Sequence, residues 1–341
     1  MGGSRAVDVL IVSLGSTGGL RAADDELVAS LQRAGASVAV ARALPPPRRR
    51  TLMRTDLAWS RAARRAARAA QGHASRAVIY SSTTAALLWP RPGAIRFDAP
   101  SAGNRPGRHG LWQRPLERRR LGEAPLLLPW SVGAMEELPP DVGRNATAMV
   151  LPVPVEPSGP LEAVRDVAAI TYAANPSKKG LDRVLSAWRR VRGERRPGAE
   201  QLLVTGASAE DLARAGFQLA GEEGVRVLGA VPSEEYRALL RRARVFLCAA
   251  RREDYGIAQL EALSDGCQLV STPSPGPYAA LPIARALDPR LVSEDLAAGL
   301  RAALDAPLAD YAMRARRALA PFSREAADRL VADELLARLL G

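Results

Sequence analysis

The feature that most constrains the fold is a repeated alternation of short apolar runs with helical patterns, which occurs twice along the chain. In the first half, the apolar runs of strand length are Val7 to Ser13, Ser37 to Arg42, Ala77 to Ser81, Ala94 to Phe97 and Leu126 to Pro129. In the second half, they are Val167 to Ala173, Gln201 to Thr205, Val225 to Leu228, Val245 to Ala250 and Gln268 to Ser271. Such alternation is typical of parallel strands joined by crossover helices. The sequence therefore predicts an α/β protein with two Rossmann-like doubly wound domains.

The two series are separated by a proline-spaced stretch, Leu151 to Pro160, which has the composition of a linker. A chain of 341 residues is too long for one ordinary core and suits two domains. We expect domains over residues 1–152 and 153–310, followed by C-terminal helices over 311–341 that pack back toward the first domain. Two open sheets would present the carboxyl ends of their strands to a cleft between the domains.

Composition narrows the choice of partners and compartment. The formal net charge is +12, but much of it is arginine scattered through Ala/Arg-rich helices such as Ser60 to Ala70, and aromatic residues are only 4%. Because no nucleic-acid-binding motif accompanies the charge, we expect no nucleic-acid partner. Cys248 and Cys267 lie in or beside apolar runs without metal-ligand spacing, which favours buried thiols in a reducing compartment. We expect a cytoplasmic protein, either free or peripheral to a membrane.

Lysine is nearly absent from this chain, and that makes its two lysines informative. Lys178 and Lys179 are the only ones, whereas Lys and Arg together number 48. They follow the predicted strand Val167 to Tyr172 and precede a predicted helix from Leu181 to Val191. An ammonium is a compact point charge that suits phosphate oxygens differently from a planar guanidinium. Either the two lysines bind an anion at the end of the strand, or they lie on a solvent-exposed turn without a function.

A second strand-to-helix turn carries two carboxylates, Glu253 and Glu261, with seven residues between them. The strand before the turn ends at Ala250 and the helix behind it breaks at Asp265-Gly266. Glu253 therefore falls on the loop and Glu261 falls inside the helix. A carboxylate accepts hydrogen bonds from hydroxyl groups. One glutamate can bind a sugar in this way, and the other can bind a ribose.

The start of the same helix is suited to a phosphate. Gly256 lets a ligand approach the backbone closely. The N–H groups of Gly256, Ile257 and Ala258 would be free at the helix start and would point toward the anion. The turn therefore combines carboxylates that can accept hydrogen bonds from hydroxyls with backbone amides that can donate to a phosphate. This combination predicts a sugar-nucleotide site.

These motifs resemble the GT-B glycosyltransferases, specifically the retaining group called family 4. Glu253 and Glu261 match the Glu-x7-Glu motif of that family, with Tyr255-Gly256-Ile257 where the family often has Phe-Gly-Ile. Lys179-Gly180 resembles the Lys-Gly that follows the first strand of the family's second domain, and Gly18-Gly19 resembles its N-terminal glycine turn. The resemblance covers nearly the whole chain and is densest in the second half.

The resemblance implies roles for particular residues. Glu253 would contact hydroxyls of the donor sugar, Glu261 would contact the ribose, and Lys179 would neutralise the diphosphate. The other residues implied in donor binding are Gly18, Gly19, Lys178, Tyr255, Gly256, Ile257 and Ala258. The first domain would bind the acceptor, which would be a glycan, a lipid-linked compound or a small molecule, and the second would bind the nucleotide sugar. Enzymes of this kind need no metal or other cofactor, so we predict no metal ligands.

The sequence departs from the family pattern at two positions. The family commonly has an arginine five residues before the lysine, where this chain has Ala174; Lys178, Arg251 or Arg252 could substitute for it. Many relatives have a histidine after a strand of the first domain, where this chain has Asp98. Asp98 either acts in catalysis by orienting a hydroxyl or caps a turn before Pro100.

Two further hypotheses accompany the leading one. A non-catalytic protein that binds a sugar nucleotide or a glycan on the same fold is the main alternative, motivated by Ala174 and Asp98. A nicotinamide-linked oxidoreductase is disfavoured because Gly15 to Gly19 lacks the Gly-x-Gly-x-x-Gly spacing.

Two arginine-rich segments of the first domain suggest another partner. They are the stretch Arg48 to Arg68 and the cluster Arg114, Arg118, Arg119 and Arg120. Either these basic clusters bind an anionic membrane surface or a phosphate-bearing acceptor, or they are a consequence of the arginine-rich composition alone.

Overall fold

The protein is described from a computed structural model, over residues 6–47, 49–70, 74–105, 107–144, 146–162, 164–194, 200–219 and 221–341. The chain divides into two compact units, one made of Met1–Pro154 with Phe322–Gly341 and the other of Val155–Pro321. Each unit contains a five-stranded parallel sheet with helices, so the predicted α/β class with two doubly wound domains is confirmed. Residues 151–160 form neither helix nor strand, as expected of a linker.

The elements of the first unit begin with strands β1 (Val7–Ser13), β2 (Val38–Arg42), β3 (Ser75–Tyr80), β4 (Ala94–Phe97) and β5 (Leu127–Pro129). Its helices before the linker are α1 (Gly18–Arg33), α2 (Leu52–Ala69), α3 (Thr83–Ala86), α4 (Ser101–Asn104), α5 (Gln113–Glu123), α6 (Val132–Glu136) and α7 (Pro140–Gly143). A short 3₁₀ turn, Gly107–Gly110, lies between α4 and α5.

The first sheet has the strand order β2-β1-β3-β4-β5. Successive residues of its interior strand β1 face opposite sides: Leu10 and Val12 join a core with Ala63 of α2, and Val9 and Ile11 join a second core. Burial on both faces is the reason these strands are continuous apolar runs. This order is the second common doubly wound arrangement and differs from the order of the Rossmann sheet.

The second unit contains strands β6 (Val167–Tyr172), β7 (Leu202–Thr205), β8 (Val225–Gly229), β9 (Ala243–Cys248) and β10 (Gln268–Ser271). Its helices are α8 (Leu181–Gly193), α9 (Ala209–Arg214), α10 (Ser233–Arg242), α11 (Ile257–Ser264), α12 (Ala280–Leu287), α13 (Leu296–Asp305) and α14 (Tyr311–Ala318). Read from β8, the strand order β8-β7-β6-β9-β10 is the 3-2-1-4-5 order of the Rossmann sheet, and the order reverses between β6 and β9.

The C-terminal segment is divided between the two units instead of forming one group over 311–341. Helix α14 belongs to the second unit, where the Tyr311 hydroxyl accepts a hydrogen bond from the Leu269 N–H of β10 at 3.2 Å. Helices α15 (Arg324–Leu330) and α16 (Leu336–Leu340) belong to the first unit. Asp328 of α15 pairs there with Arg33 of α1 at 2.7 Å. No helix among the described residues is both long and apolar enough to cross a membrane.

Candidate active site

Two loops that leave neighbouring strands build the candidate site in the second unit. Strands β6 and β9 are parallel partners, with Ala169 opposite Val245 and Ile170 opposite Phe246. Both strands therefore end at the same edge of the sheet, at the point where the strand order reverses, which is where ligands bind in open α/β sheets. The loop after β6 carries the two lysines and the loop after β9 carries Glu253.

Gly180 holds these two loops against each other. Its backbone is left-handed, with φ of 66°, and it caps the start of α8. A Cβ at this position would lie 1.9 Å from the backbone oxygen of Ala249. Only glycine permits so close an approach. The Arg251 N–H also donates to the Lys178 carbonyl at 2.9 Å, so the two loops are joined through their backbones.

The central contact of the site is an ion pair between Lys179 and Glu253. The Lys179 Nζ lies 2.6 Å from the Glu253 Oε2, and the two side chains are 20% and 7% exposed. Burial works to lower the pKa of the Lys179 ammonium, but the Glu253 carboxylate outweighs it and raises that pKa above its ordinary value. Lys179 is therefore a permanent cation, and its hydrogen bond to the Glu253 Oε2 uses one of its three N–H donors.

Gln259 is a site residue that the sequence analysis did not identify. Its Nε2 donates to the Glu253 Oε2 at 2.8 Å and to the Cys248 Sγ at 3.0 Å. Glu253 therefore receives a hydrogen bond from the first turn of α11 as well as from Lys179. The spacing from Glu253 to Gln259 across the loop and one helical turn is the only signal that could have suggested the contact.

A Gln259→Leu substitution should lower the rate of catalysis about tenfold while leaving nucleoside diphosphate affinity within about twofold. The variant loses one of the two donors that orient Glu253 and keeps similar volume, and a lost charge-assisted hydrogen bond costs about 1.5 kcal/mol. Steady-state kinetics of the wild type and the variant give the rates, and calorimetry gives the nucleoside diphosphate affinities. Gln259→Glu is measured in the same way as a second variant. A tenfold loss of nucleotide affinity without a change in rate would contradict this role.

The start of α11 offers backbone donors beside the ion pair. Gly256 is the N-cap, with a left-handed φ of 91° and no side-chain hydrogen bond to the helix start. Ile257 and Ala258 are partly exposed in the first turn. The first N–H groups of a helix have no partner within it, so they are available to an anion. Tyr255 differs from these residues because its side chain is buried, and its role in donor binding stays a prediction.

The three cations that could replace the missing arginine at Ala174 all have other partners. The Lys178 Nζ lies 2.7 Å from the Asp254 Oδ2, and the Arg252 Nε lies 2.9 Å from the other oxygen of Asp254. Arg251 pairs with Asp182 at 2.8 Å. Lys178 has the more exposed ammonium of the two lysines, and it lies next to Lys179 in sequence.

Glu261 lies further along α11 and contacts a cation that the sequence analysis missed. The Arg237 Nη1 lies 3.7 Å from the Glu261 Oε1, and the Arg237 Nε lies 2.6 Å from the Oδ2 of fully buried Asp265. Arg237 also donates to the Glu156 carbonyl in the linker at 2.7 Å. Burial of the carboxylate raises the Glu261 pKa to about 7, although Arg237 opposes the change.

The predicted residues of the first unit lie at the start of α1 and directly after β4. Gly18 and Gly19 form the exposed first turn of α1, and the Thr17 hydroxyl caps it by accepting from the Leu20 N–H at 3.2 Å. Asp98 follows β4, and its Oδ1 accepts from the Ala99 N–H at 2.9 Å. That contact agrees with the turn-capping alternative, whereas a catalytic role for Asp98 stays a prediction. Among the residues that the structure describes, no group of three or more His, Cys, Asp or Glu could hold a metal ion.

The family of the second unit follows from its sequence. Residues 166–310 match the family described as glycosyl transferases group 1, and this region includes Lys179, Glu253 and Glu261. The second unit carries a glycosyl transferases group 1 domain. No curated protein matches the chain in sequence.

Solved structures share the fold along almost the whole chain. Sucrose-phosphate synthase from Thermosynechococcus elongatus is 17% identical with a TM-score of 0.75, covering 98% of this chain and 99% of its own. WaaG, a glycosyltransferase of lipopolysaccharide biosynthesis, is 16% identical with a TM-score of 0.67, covering 94% and 99%. Anabaena HepE in complex with UDP and glucose is 13% identical with a TM-score of 0.68, covering 96% and 99%. These identities show the fold alone, and that fold is the predicted GT-B fold. Together with the family match over residues 166–310, this fold supports the predicted glycosyltransferase.

Proposed function

We propose that the protein is a retaining glycosyltransferase of the family 4 type that takes a sugar from a nucleoside-diphosphate sugar. It transfers that sugar to a hydroxyl group of a glycan, a lipid-linked compound or a small molecule. The observation that carries the proposal is the 2.6 Å contact of Lys179 with Glu253 where the strand order reverses. The fold that the chain shares with HepE, whose structure contains UDP and glucose, supports this class of donor.

The proposed chemistry follows from where charge develops. Cleavage of the anomeric bond leaves a cation-like sugar and adds negative charge to the departing diphosphate. Lys179 and the N–H groups at the start of α11 stabilise that negative charge, which is the type of interaction that lowers a barrier most. Glu253 accepts from sugar hydroxyls and Glu261 from ribose hydroxyls. In the first unit, we propose that Gly18 and Gly19 offer backbone donors to the donor diphosphate.

The direct test is an NMR assay with UDP-sugars and GDP-sugars and a panel of hydroxyl acceptors. We expect release of a nucleoside diphosphate, through slow hydrolysis or transfer, and a product with the anomeric configuration of the donor. Because Lys179 and backbone amides supply the positive charge, we propose that no metal is required, and EDTA should leave the rate unchanged. A product of inverted configuration would overturn the retaining mechanism, and a rate lost with EDTA and restored by Mg²⁺ would overturn metal independence.

A non-catalytic binding protein is the second candidate. It is favoured by one observation, that Lys178, Arg251 and Arg252 all contact carboxylates, so the position of Ala174 has no clear replacement cation. Calorimetry separates the two candidates. Tight binding of a nucleoside diphosphate without turnover of any donor or acceptor would favour the binding protein.

Binding of a nucleotide sugar should depend on pH through Glu261. With a pKa of about 7, Glu261 is mostly ionised at pH 8 and mostly protonated at pH 6. If the ionised form accepts the ribose hydroxyls, affinity should be about tenfold weaker at pH 6 than at pH 8. Calorimetry with an intact nucleotide sugar is suitable, since its diphosphate does not titrate in this range. Glu261→Gln should remove the dependence, and equal pH profiles of the two proteins would contradict it.

The same pKa predicts an effect on stability with a definite sign. Unfolded Glu261 titrates near 4.5 and folded Glu261 near 7, so between these values the folded state binds more protons than the unfolded state. The contribution of Glu261 to stability therefore falls as the pH rises through this window. We expect Glu261→Gln to be more stable than the wild type at pH 8, with a difference that shrinks toward pH 5.

For the compartment we propose the cytoplasm, since Cys248 and Cys267 are free buried thiols.

A further inference from the structure

Arginines in the second unit are mostly paired with carboxylates on the same unit. Each pair is short: Arg189 with Glu222 at 2.7 Å, Arg301 with Glu194 at 2.6 Å and Arg244 with Glu200 at 2.6 Å. Further pairs join Arg190, Arg192, Arg214, Arg242, Arg251 and Arg290 to acids of this unit. Most arginine charges of this unit are thus neutralised by nearby carboxylates, and they do not form one continuous positive face.

Helix α2 and the segment before it are different. Within the described part of the chain, no arginine of this segment forms an ion pair. The arginines are Arg49, Arg50, Arg54, Arg61, Arg64, Arg65 and Arg68. The one acid of the segment, Asp56, is buried and is already paired with Arg105 at 2.7 Å. Arg48 lies outside the described residues. The positive charge here is therefore not neutralised by the protein.

Four of these arginines lie on one face of α2. Arg54, Arg61, Arg65 and Arg68 are all exposed and are spaced by seven, four and three residues, which places them on one side of a helix. At 1.5 Å per residue, the row is about 21 Å long. The opposite side of α2 is buried through Ala63 and other small residues, so this orientation is fixed.

Exposed aliphatic side chains accompany the arginines at the start of α2. Leu44 is 79% exposed, Leu52 is 49% exposed and Met53 is 39% exposed. All three are close in sequence to Arg49, Arg50 and Arg54, but Leu52 lies about 200° around α2 from Arg54, so Leu44 and Met53 are the ones that accompany the row. Exposed apolar side chains beside uncompensated positive charge are the features that insert into the headgroup region of an anionic bilayer.

We propose that the arginine face, defined as Arg49, Arg50, Arg54, Arg61, Arg65 and Arg68, docks on an anionic membrane surface together with the exposed Leu44 and Met53 near its N-terminal end. The guanidinium groups bind lipid phosphates and carboxylates, which they can contact through two hydrogen bonds each. The aliphatic side chains enter the boundary between headgroups and acyl chains. A nucleic acid fits less well, because single strands are bound by stacking on aromatic side chains and this face exposes leucine and methionine instead.

The test is flotation of the full-length protein with vesicles of phosphatidylcholine alone or with phosphatidylglycerol added. Each basic side chain near an anionic surface strengthens partition about fivefold at modest salt. The variant Arg54→Gln, Arg61→Gln, Arg65→Gln, Arg68→Gln should therefore bind the anionic vesicles at least tenfold more weakly. Leu44→Ser with Met53→Ser should weaken the binding that persists at high salt. Hydrolysis of a soluble nucleotide sugar should be unchanged in both variants.

The matched control removes the same net charge from paired positions, through Arg189→Gln, Arg190→Gln, Arg242→Gln and Arg301→Gln. It should bind anionic vesicles like the wild type. The proposal is overturned if the wild type shows no preference for anionic vesicles at low salt. It is equally overturned if the fourfold variant of the arginine face and the matched control lose the same amount of binding. It is also overturned if the arginine face binds double-stranded DNA or single-stranded RNA more tightly than anionic vesicles. None of these outcomes depends on sugar transfer, so the result is separate from the proposed enzymatic activity.

Discussion

Replacing Lys179 by methionine is expected to lower the rate of sugar transfer about a thousandfold while the protein still folds. Methionine keeps most of the side-chain length and loses the charge that stabilises the departing diphosphate. Loss of one such electrostatic contact costs a factor of about 10² to 10³ in rate. Lys178→Met is the matched control, and we expect less than a tenfold loss from it, because its ammonium is more exposed and pairs with Asp254.

The partner substitution makes the test more specific. Glu253→Gln should also lower the rate by about two orders of magnitude, since a neutral amide is a weaker acceptor for the sugar hydroxyls and for Lys179. Because the two side chains contact each other, the double variant should lose much less than the product of the single losses. Rates come from single-turnover kinetics at saturating donor. Near-normal turnover in Lys179→Met or in Glu253→Gln would remove these residues from the reaction.

The second large effect is expected from Gly180→Ala, which should destabilise the second unit by about 3 kcal/mol or more. The new Cβ would meet the Ala249 carbonyl oxygen at 1.9 Å, and alanine would also have to adopt a φ of +66°. Backbone would have to move, because no flexible side chain can give way. The movement would separate the loop of Lys179 from the loop of Glu253, so activity should fall together with the melting temperature.

Gly216→Ala is the matched control for this substitution. Gly216 has a similarly positive φ of +89° in the same unit, but a Cβ there would meet nothing within 4 Å. Gly216→Ala should therefore lower the free energy of unfolding only by the cost of a positive φ in alanine, about 1 kcal/mol. Calorimetric melting of both variants isolates the close approach at Gly180. Equal losses of melting temperature would show that the contact with Ala249 does not hold the site together.

The architecture was accessible from sequence because nearly every strand is a continuous apolar run. Val7–Ser13, Ala94–Phe97 and Gln268–Ser271 have the predicted bounds, and the other strands differ by a few residues at their ends. Helix ends were harder to place: α1 begins at Gly18 because Thr17 caps a glycine turn that has no apolar periodicity. Helix α5 was not predicted, since its exposed face is a run of arginines and its composition is too polar for an apolar stripe.

The site was accessible only where its residues belong to a motif. Lys179 and Glu253 could be paired in advance because both follow parallel strands, and carboxyl ends of neighbouring strands meet at one edge. The contacts of Gln259 and Arg237 depend on side-chain direction within α11 and α10, which periodicity does not specify. The arginine face depends on which charges find partners in the fold, and composition alone does not distinguish paired from unpaired arginines.

The central claim is that Lys179 binds the diphosphate of the donor at the edge of the second sheet. Only two lysines exist in the chain, so ¹³C-lysine labelling gives two sets of side-chain NMR signals, and Lys178→Arg assigns them. We predict that titration with uridine or guanosine diphosphate shifts the Lys179 ε-methylene signal saturably and by more than the Lys178 signal. An unchanged Lys179 signal at a nucleotide concentration that saturates binding by calorimetry would contradict the account.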